Sequence, residues 1–355
     1  MNRRPYLDWL RGVGVLIMIE AHTLDSWTRV EDRGHAYRWA MVIGGFGAPI
    51  FLFLAGVSLA LAAGSRRRKG LSETEVAAAA RRRGWQIFGL AFLFRLQSAV
   101  ISGGPLPQSL FKVDILNIMG LSMVVAAVLL SAGSAPRWRA VLLGAAAVAT
   151  AMLTPIVRAT PVLAPIPDPI EWYFRPDPGR TTFTLFPWAG FLLAGSSVGV
   201  WIDQTSNPAY ERRVLVWLGV LGVVLALMGY GTSFLPPIYA DTSFWTTSPT
   251  FFFFRLGLLI AAVPLAYAWR VWTPGRSLLV EFGLASLFVY WIHVEMVYGV
   301  LSLPLHRRLT LAQALLAFVV FSAFLFWLVR IKARLFRRPD RLSFRPMHEN
   351  QAKRL

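Results

Sequence analysis

About ten long apolar runs follow one another along the chain, and they constrain its fold more than any other feature does. A helix needs about 20 residues to cross a bilayer core that is about 30 Å thick. Runs of that length lie at roughly 7–25, 41–63, 84–102, 113–132, 139–157, 183–202, 214–235, 252–272, 278–301 and 310–331. The sequence therefore predicts an all-α, polytopic membrane helical bundle of about ten transmembrane helices.

The composition supports a membrane location and excludes several kinds of site. Hydrophobic residues make up 56% of the chain and charged residues only 15%, whereas about a quarter of the residues of a soluble domain are charged. The chain has no cysteine, which excludes disulfides, thiolate metal sites and cysteine nucleophiles. The first apolar run ends at Glu20, Ala21 and His22 rather than at a small-x-small cleavage site, so we expect a retained first helix.

Positive charge is distributed unevenly between the loops on the two sides of the predicted bundle. If the N-terminus is cytoplasmic, most of the 36 lysines and arginines fall in cytoplasmic segments, as the positive-inside rule requires. We therefore expect both termini inside, one membrane domain over 1–335 and a basic cytoplasmic tail over 336–355. The net charge of +18 then needs no nucleic acid, and the lipid bilayer with its anionic headgroups is the expected partner.

The first predicted helix carries a stripe of ionisable residues, Asp8, Arg11, His22 and Asp25. At about 100° per residue these positions return to nearly one face of the helix. Charges at membrane depth are costly and usually face a cavity and a partner. Two interpretations stay open: Asp8 and Arg11 belong to a site or form an ion pair that orients the helix, and His22 belongs to a site or is a buried, hydrogen-bonded histidine.

Two further predicted helices bring polar residues to the same outer half of the membrane. Ser286, Tyr290 and His293 share one face of the ninth span, and Asp114 and Asn117 begin the fourth. A histidine can take a proton from an amine or a hydroxyl near neutral pH. No His-x-x-x-His or Glu-x-x-His pair occurs in the sequence, so we predict a catalytic site without a metal.

Basic residues cluster on the cytoplasmic side of the second and third predicted spans. Such clusters suit the phosphates of a coenzyme as well as lipid headgroups, and the sequence alone favours lipid contact. The residues are Arg66, Arg67, Arg68, Lys69, Arg81, Arg82 and Arg83.

Five segments, in order along most of the chain, resemble one group of enzymes. The opening, Leu7 to Gly12, is similar to the start of the transmembrane acyltransferase superfamily. The other four resemble motifs of the heparan-α-glucosaminide N-acetyltransferase catalytic-domain family and its bacterial relatives. They are His35-Ala36 followed by Pro49 to Gly56, Val113 to Gly120, Asp177-Pro178 leading to Leu185 to Pro187, and Ser286 to Glu295.

The resemblance implies acetyl transfer from cytosolic acetyl-CoA to a sugar amine on the other side of the membrane. In that family a histidine of the first outside loop carries the chemistry, which by position is His35, whereas His22 matches the first-helix histidine of the wider superfamily. Arg83 stands where the family has a basic residue at the start of the third helix. His22, Gly45 and Ala285 replace an Asn, an Asp and an Asn of the family, which leaves the acceptor sugar and the identity of the base open.

We therefore predict a multi-pass inner- or plasma-membrane acyltransferase that moves an acyl group, acetyl by the resemblance, from cytosolic acyl-CoA to a sugar or glycolipid acceptor in the cell envelope. His35 or His22 is the expected base or acyl carrier, supported by Asp25 or Asp8. Acetyl-CoA is the expected co-substrate, bound by the basic residues named above, and no metal is expected. The residues expected to line the acceptor site are Arg11, Asp114, Asn117, Tyr290 and His293.

A proton-coupled transporter or permease is the alternative function. Ionisable residues such as Glu20, Glu281 and Glu295 could form a proton relay across the membrane. Transporters often contain inverted repeats with broken helices at matching positions, and no such repeat is found in this sequence. The oligomeric state, including a homo-oligomer, stays open.

Overall fold

The fold is a helical bundle, seen here in a computed structural model that describes residues 4–102, 109–133, 135–240 and 242–336. No β-strand occurs within these ranges, which confirms the predicted all-α class. The predicted basic tail lies outside the described residues except for Phe336. The helices are α1 (Pro5–Trp27), α2 (His35–Gly44), α3 (Gly47–Arg68), α4 (Glu73–Ser102), α5 (Ile115–Ala132), α6 (Pro136–Ala159), α7 (Asp168–Glu171), α8 (Leu185–Asp203), α9 (Pro208–Thr232), α10 (Pro249–Trp272), α11 (Leu278–Leu284), α12 (Ser286–Tyr298) and α13 (Leu311–Leu335).

Eight helical segments of the described chain are long and apolar enough to cross a membrane. One is His35–Arg68, which α2 and α3 form together, and the others are α4, α5, α6, α8, α9, α10 and α13. The pair α11 and α12 gives a ninth if its two halves form one span. α1 has 23 residues and corresponds to the first predicted span, but its ionisable residues keep it out of this set. The protein is thus a multi-pass membrane bundle.

The N-terminal end of α4 extends further than the apolar run predicts. The predicted third span begins near residue 84, whereas α4 begins at Glu73. Four consecutive alanines precede the arginines here, and alanine has the highest helix propensity. One continuous helix therefore carries the basic cluster around Arg82 and, about 20 Å further along its axis, Arg95.

The ninth predicted span is not one straight helix. α11 and α12 meet at Ala285 with a bend of 82°, where the backbone leaves helical geometry. α11 packs so closely on α1 that a Cβ atom on Gly283 would lie 1.9 Å from the carbonyl oxygen of Asp8. This contact holds α11 against the first part of α1, while the bend directs α12 towards the last part, where His293 reaches His22.

The two largest of three buried clusters among the described residues hold the bundle together. The larger includes Phe53 and Leu192, where a Cβ atom on Gly56 would lie 2.0 Å from the Leu192 carbonyl oxygen. Small residues at such contacts allow helix backbones in membranes to approach closely. The smaller cluster joins α1, α12 and α13 through Val289 and Leu325, among others. A cavity remains between α1, α3, α4, α5, α11 and α12.

Candidate functional site

One cavity of about 1170 Å³ runs along the six helices that surround it. At one end, the arginine end, it is lined by Arg66, Arg82 and Arg83. At the other, the histidine end, it is lined by residues that include His22 and Glu295. The helical rise from Arg66 or Arg83 to the histidine end is on the order of 20 Å. The cavity thus reaches from one end of the bundle towards the other.

Two histidines from distant parts of the chain meet at the histidine end. The Nδ1 atom of His22 lies 2.8 Å from the Nε2 atom of His293, and the two rings are nearly coplanar, with an angle of 4° between them. The Nδ1 atom of His293 in turn lies 2.9 Å from the carbonyl oxygen of Val289, one turn earlier in α12. His22 lines the cavity, whereas His293 is fully buried behind it.

Tyrosines from α12 surround the histidine pair. The ring of Tyr298 stands edge-on to His22 with centroids 5.4 Å apart, and the ring of Tyr290 lies 5.8 Å from that of His293. The Tyr298 hydroxyl donates a hydrogen bond of 3.0 Å to the Asp25 carboxylate. The Asp25 carboxylate therefore binds the Tyr298 hydroxyl and not the His22 ring. Any support that Asp25 gives to His22 is indirect.

An ion pair closes the wall of the cavity at the histidine end. Arg95 of α4 lies 2.9 Å from the Asp114 carboxylate, which is buried and accepts a hydrogen bond from the Leu116 amide as the N-cap of α5. Lys112 lines the same wall, and burial, together with the charge of Arg95, lowers its pKa. Asn117 completes the capping box of α5 and does not line the cavity.

Glu295 presents a carboxylate to the histidine end without a full set of partners. Both of its carboxylate oxygens are shielded from solvent and meet no hydrogen-bond partner of ordinary geometry among the described residues. Ser98 and Arg95 are its polar neighbours; one Nη atom of Arg95 pairs with Asp114, and its Nε atom has no hydrogen-bond partner among the described residues. Buried polar atoms are normally satisfied, so this carboxylate is suited to accept hydrogen bonds from a ligand.

The arginine end holds cations that have no carboxylate partner. Arg66, Arg82 and Arg83 line the cavity and form no ion pair or side-chain hydrogen bond with other described residues. Arginine guanidinium groups bind phosphates through paired, charge-assisted hydrogen bonds. This end of the cavity is therefore suited to a polyanionic group.

Four other basic residues of the predicted cluster do not line this cavity. Arg67 forms three hydrogen bonds of 2.9–3.1 Å with Glu73, and Arg68 forms two of 2.8 Å with Asp203. These guanidinium groups are already occupied by carboxylates. Lys69 and Arg81 also lie away from the cavity wall.

Asp8 and Arg11 lie in the part of the cavity nearer the arginine end. They form an ion pair of 3.0 Å, and Arg11 also donates a hydrogen bond of 2.7 Å to Ser58. Fourteen residues separate Asp8 from His22, which is about 21 Å of helical rise. Asp8 is thus on the predicted face of α1 but too far along it to hold the His22 ring.

His35 lies outside the cavity. It begins α2, its side chain is exposed, and its Nε2 atom accepts a hydrogen bond of 3.2 Å from the Trp39 indole. Among the described residues, His22 is the histidine that lines the cavity. The structure therefore brings His22, and not His35, together with the other candidate residues.

Sequence analysis missed two residues of the histidine end, Arg95 and Tyr298. Arg95 stands alone among apolar residues of α4, and an isolated charge at membrane depth is a signal that could have found it. Tyr298 is one of several aromatic residues near a helix end and carries no comparable signal. No group of three or more His, Cys, Asp or Glu residues in the described ranges could hold a metal ion.

Neutralising one member of the Arg95–Asp114 pair is expected to destabilise the fold by about 3 kcal/mol, because the partner charge stays buried. Asp114→Asn keeps a good N-cap residue for α5, so it isolates the loss of charge, and Arg95→Met tests the other partner. Melting temperature in detergent measures the effect. The double variant should recover part of the loss, and a double variant that loses the sum of both would contradict the pairing.

Comparison with known proteins gives one family. The family model described as "Heparan-alpha-glucosaminide N-acetyltransferase, catalytic" matches residues 3–230, well over half of the chain. The matched part contains His22, the arginine end and Arg95, whereas α12 with His293 and Glu295 lies beyond it. No curated protein matches the chain.

Proposed function

The chain belongs to the heparan-alpha-glucosaminide N-acetyltransferase catalytic family, and we propose that it transfers an acetyl group from coenzyme A to a sugar or glycolipid acceptor. The donor enters at the arginine end of the cavity and the acceptor at the histidine end. One observation carries the proposal: a single cavity joins three unpaired arginines to a histidine that faces it.

Arg66, Arg82 and Arg83 would hold the phosphates of coenzyme A. Support comes from their shared lining of the cavity and from their lack of carboxylate partners among the described residues. The pantetheine arm is a long extended chain, and its thioester would lie towards His22. The helical rise between the two ends, on the order of 20 Å, suits such an extended arm.

His22 would act as the general base for transfer. As the acceptor oxygen or nitrogen forms its bond to the acyl carbon, its proton passes to His22. The carbon–sulfur bond then breaks, and the proton passes from His22 to the leaving coenzyme A sulfur. The alternative, an acyl group held on His22 between two half-reactions, uses the same nitrogen, and retention of label on the protein would distinguish it.

The charge distribution supports one direction of transfer across the membrane. The arginine end lies beside the basic segments that the positive-inside rule assigns to the cytoplasm, so the donor would be cytosolic and the acceptor at the outer face of an inner or plasma membrane. In sealed proteoliposomes, acetyl-CoA on one side should then acetylate an impermeant acceptor on the other. Transfer only between reagents on the same side would contradict this direction.

The overall proposal is tested with purified protein in lipid nanodiscs and acetyl-CoA labelled in the acetyl group. Glucosamine probes an amine acceptor, and glucose probes a hydroxyl acceptor. The expected result is labelled sugar with stoichiometric free coenzyme A. Proton-driven solute uptake by proteoliposomes, with no binding or turnover of acetyl-CoA, would instead favour the transporter alternative.

Glu295→Gln is expected to raise the KM for the acceptor about tenfold and to leave the KM for acetyl-CoA unchanged, because a charged hydrogen bond contributes about 1.5–3 kcal/mol. Steady-state kinetics with each substrate varied in turn measures both constants. Glu281→Gln is the matched control, since Glu281 pairs with Arg330 and does not line the cavity. An equal change of both constants in Glu295→Gln would argue against an acceptor contact.

A further inference from the structure

His293 is a buried histidine that takes no part in the acyl-transfer steps proposed above. It is fully inaccessible, does not line the cavity and cannot touch a substrate there. Its two ring nitrogens nevertheless both have partners, the Val289 carbonyl and His22. A side chain held at both nitrogens has a defined ring orientation and a defined pattern of protons.

The proton positions follow from what each partner can do. A carbonyl oxygen only accepts, so the Nδ1 atom of His293 carries a proton and donates it to Val289. In neutral His293 the Nε2 atom is then unprotonated and accepts. His22 must therefore donate from its Nδ1 atom across the distance of 2.8 Å. In neutral His22 this leaves the Nε2 atom without a proton.

We propose that His293 is a positioning residue that fixes His22 in the tautomer with a bare Nε2 atom. The bare nitrogen belongs to the ring that faces the cavity, which is the form that a base or a nucleophile needs. His293 plays the part that a carboxylate plays in serine hydrolases, but without adding a negative charge. This role rests on the proposed function of His22, whereas the proton pattern itself does not.

Among the described neighbours of His22, His293 is the one that determines which nitrogen of the His22 ring carries the proton. Tyr298 presents its ring edge to His22 and directs its hydroxyl to Asp25. Tyr290 packs edge-on against His293. Within the described ranges, the one hydrogen bond of the His22 ring is that to His293. Removing the acceptor at 293 would free His22 to adopt the other tautomer, with its proton on Nε2.

Two substitutions at 293 separate positioning from packing. The amide oxygen of His293→Gln can accept from the Nδ1 atom of His22, whereas His293→Leu fills similar space without an acceptor. We expect kcat to fall by about 100-fold in His293→Leu and less than about tenfold in His293→Gln, with the KM for acetyl-CoA unchanged in both. His306→Leu is the control, since His306 lies outside the cavity, and it should keep the wild-type rate.

Solid-state ¹⁵N NMR of histidine-labelled protein tests the proton pattern without any activity. The signals of His22, assigned by their loss in His22→Gln, should show a protonated Nδ1 and a bare Nε2 atom in the wild type. The same pattern should persist in His293→Gln and change in His293→Leu.

A wild-type His22 protonated at Nε2, or equal kcat losses in the two His293 variants, would overturn the inference even if acyl transfer is established. A wild-type protein without transferase activity would overturn the proposed function and leave the NMR result to stand alone.

Discussion

His22→Ala is expected to lower kcat for acetyl transfer by about a thousand-fold, the middle of the range for loss of a general base. The reason is geometric. His22 is the histidine that lines the cavity, and its ring is held by His293 on the side away from the cavity. Loss of the imidazole leaves no other described histidine at the cavity wall. Initial rates with labelled acetyl-CoA and a saturating acceptor measure the effect.

The matched control for His22→Ala is His35→Ala. His35 is exposed at the start of α2 and contacts Trp39, so its loss should change kcat by less than about threefold, as surface substitutions away from a site do. Binding of acetyl-CoA by calorimetry should be retained in both variants, which shows that the cavity is intact. A large loss in His35→Ala with little change in His22→Ala would assign the base to the loop and contradict the cavity as the reaction site.

The sequence predicted the bundle well because bilayer thickness fixes helix length. Hydropathy identified nearly every helix, but it could not reveal the break at Ala285, since apolar residues continue across it. Next to the break, α11 packs closely on α1 at Gly283. That contact is between residues far apart in sequence, and no local pattern records it.

The candidate site was predicted in part. Helical periodicity placed Asp8, Arg11 and His22 on one face of α1, and the structure does bring all three to one cavity. Periodicity predicts which face of a helix a residue occupies and says nothing of the distance along the axis. That distance is what keeps Asp8 apart from His22. The link between His22 and His293 spans 271 residues, so its geometry could not follow from either segment alone.

The basic cluster shows the same limit at the arginine end. The sequence does not distinguish the seven neighbouring arginines and lysines from one another. In the structure, Glu73 forms an ion pair with Arg67, and Asp203 forms one with Arg68. Asp203 is 135 positions from its partner, and charge composition cannot predict which arginines such carboxylates will leave free. Three arginines on the cavity wall have no carboxylate partner in the part of the chain that the structure describes, and the phosphate assignment depends on them.

Replacing Arg66, Arg82 and Arg83 together with glutamine is expected to raise the KM for acetyl-CoA by on the order of 1,000-fold, because three charge-assisted hydrogen bonds to phosphate are lost and each contributes about 1.5–3 kcal/mol. The triple variant should keep its wild-type kcat, since these residues lie far from His22. It should also keep its wild-type KM for acetyl-pantetheine, a donor that has the same thioester and lacks the nucleotide phosphates. Steady-state kinetics with the two donors separates phosphate binding from every other effect.

A second triple variant controls for the loss of three positive charges. Arg212, Arg213 and Arg276 are exposed, do not line the cavity and lie in segments predicted to be on the same side of the membrane. Their replacement with glutamine removes the same charge and should change the KM for acetyl-CoA less than about threefold, because long-range attraction is screened at physiological salt. If both triple variants raise the KM equally, the arginine end attracts anions only through general charge. If the first variant also loses its affinity for acetyl-pantetheine, Arg66, Arg82 and Arg83 shape the cavity rather than bind phosphate.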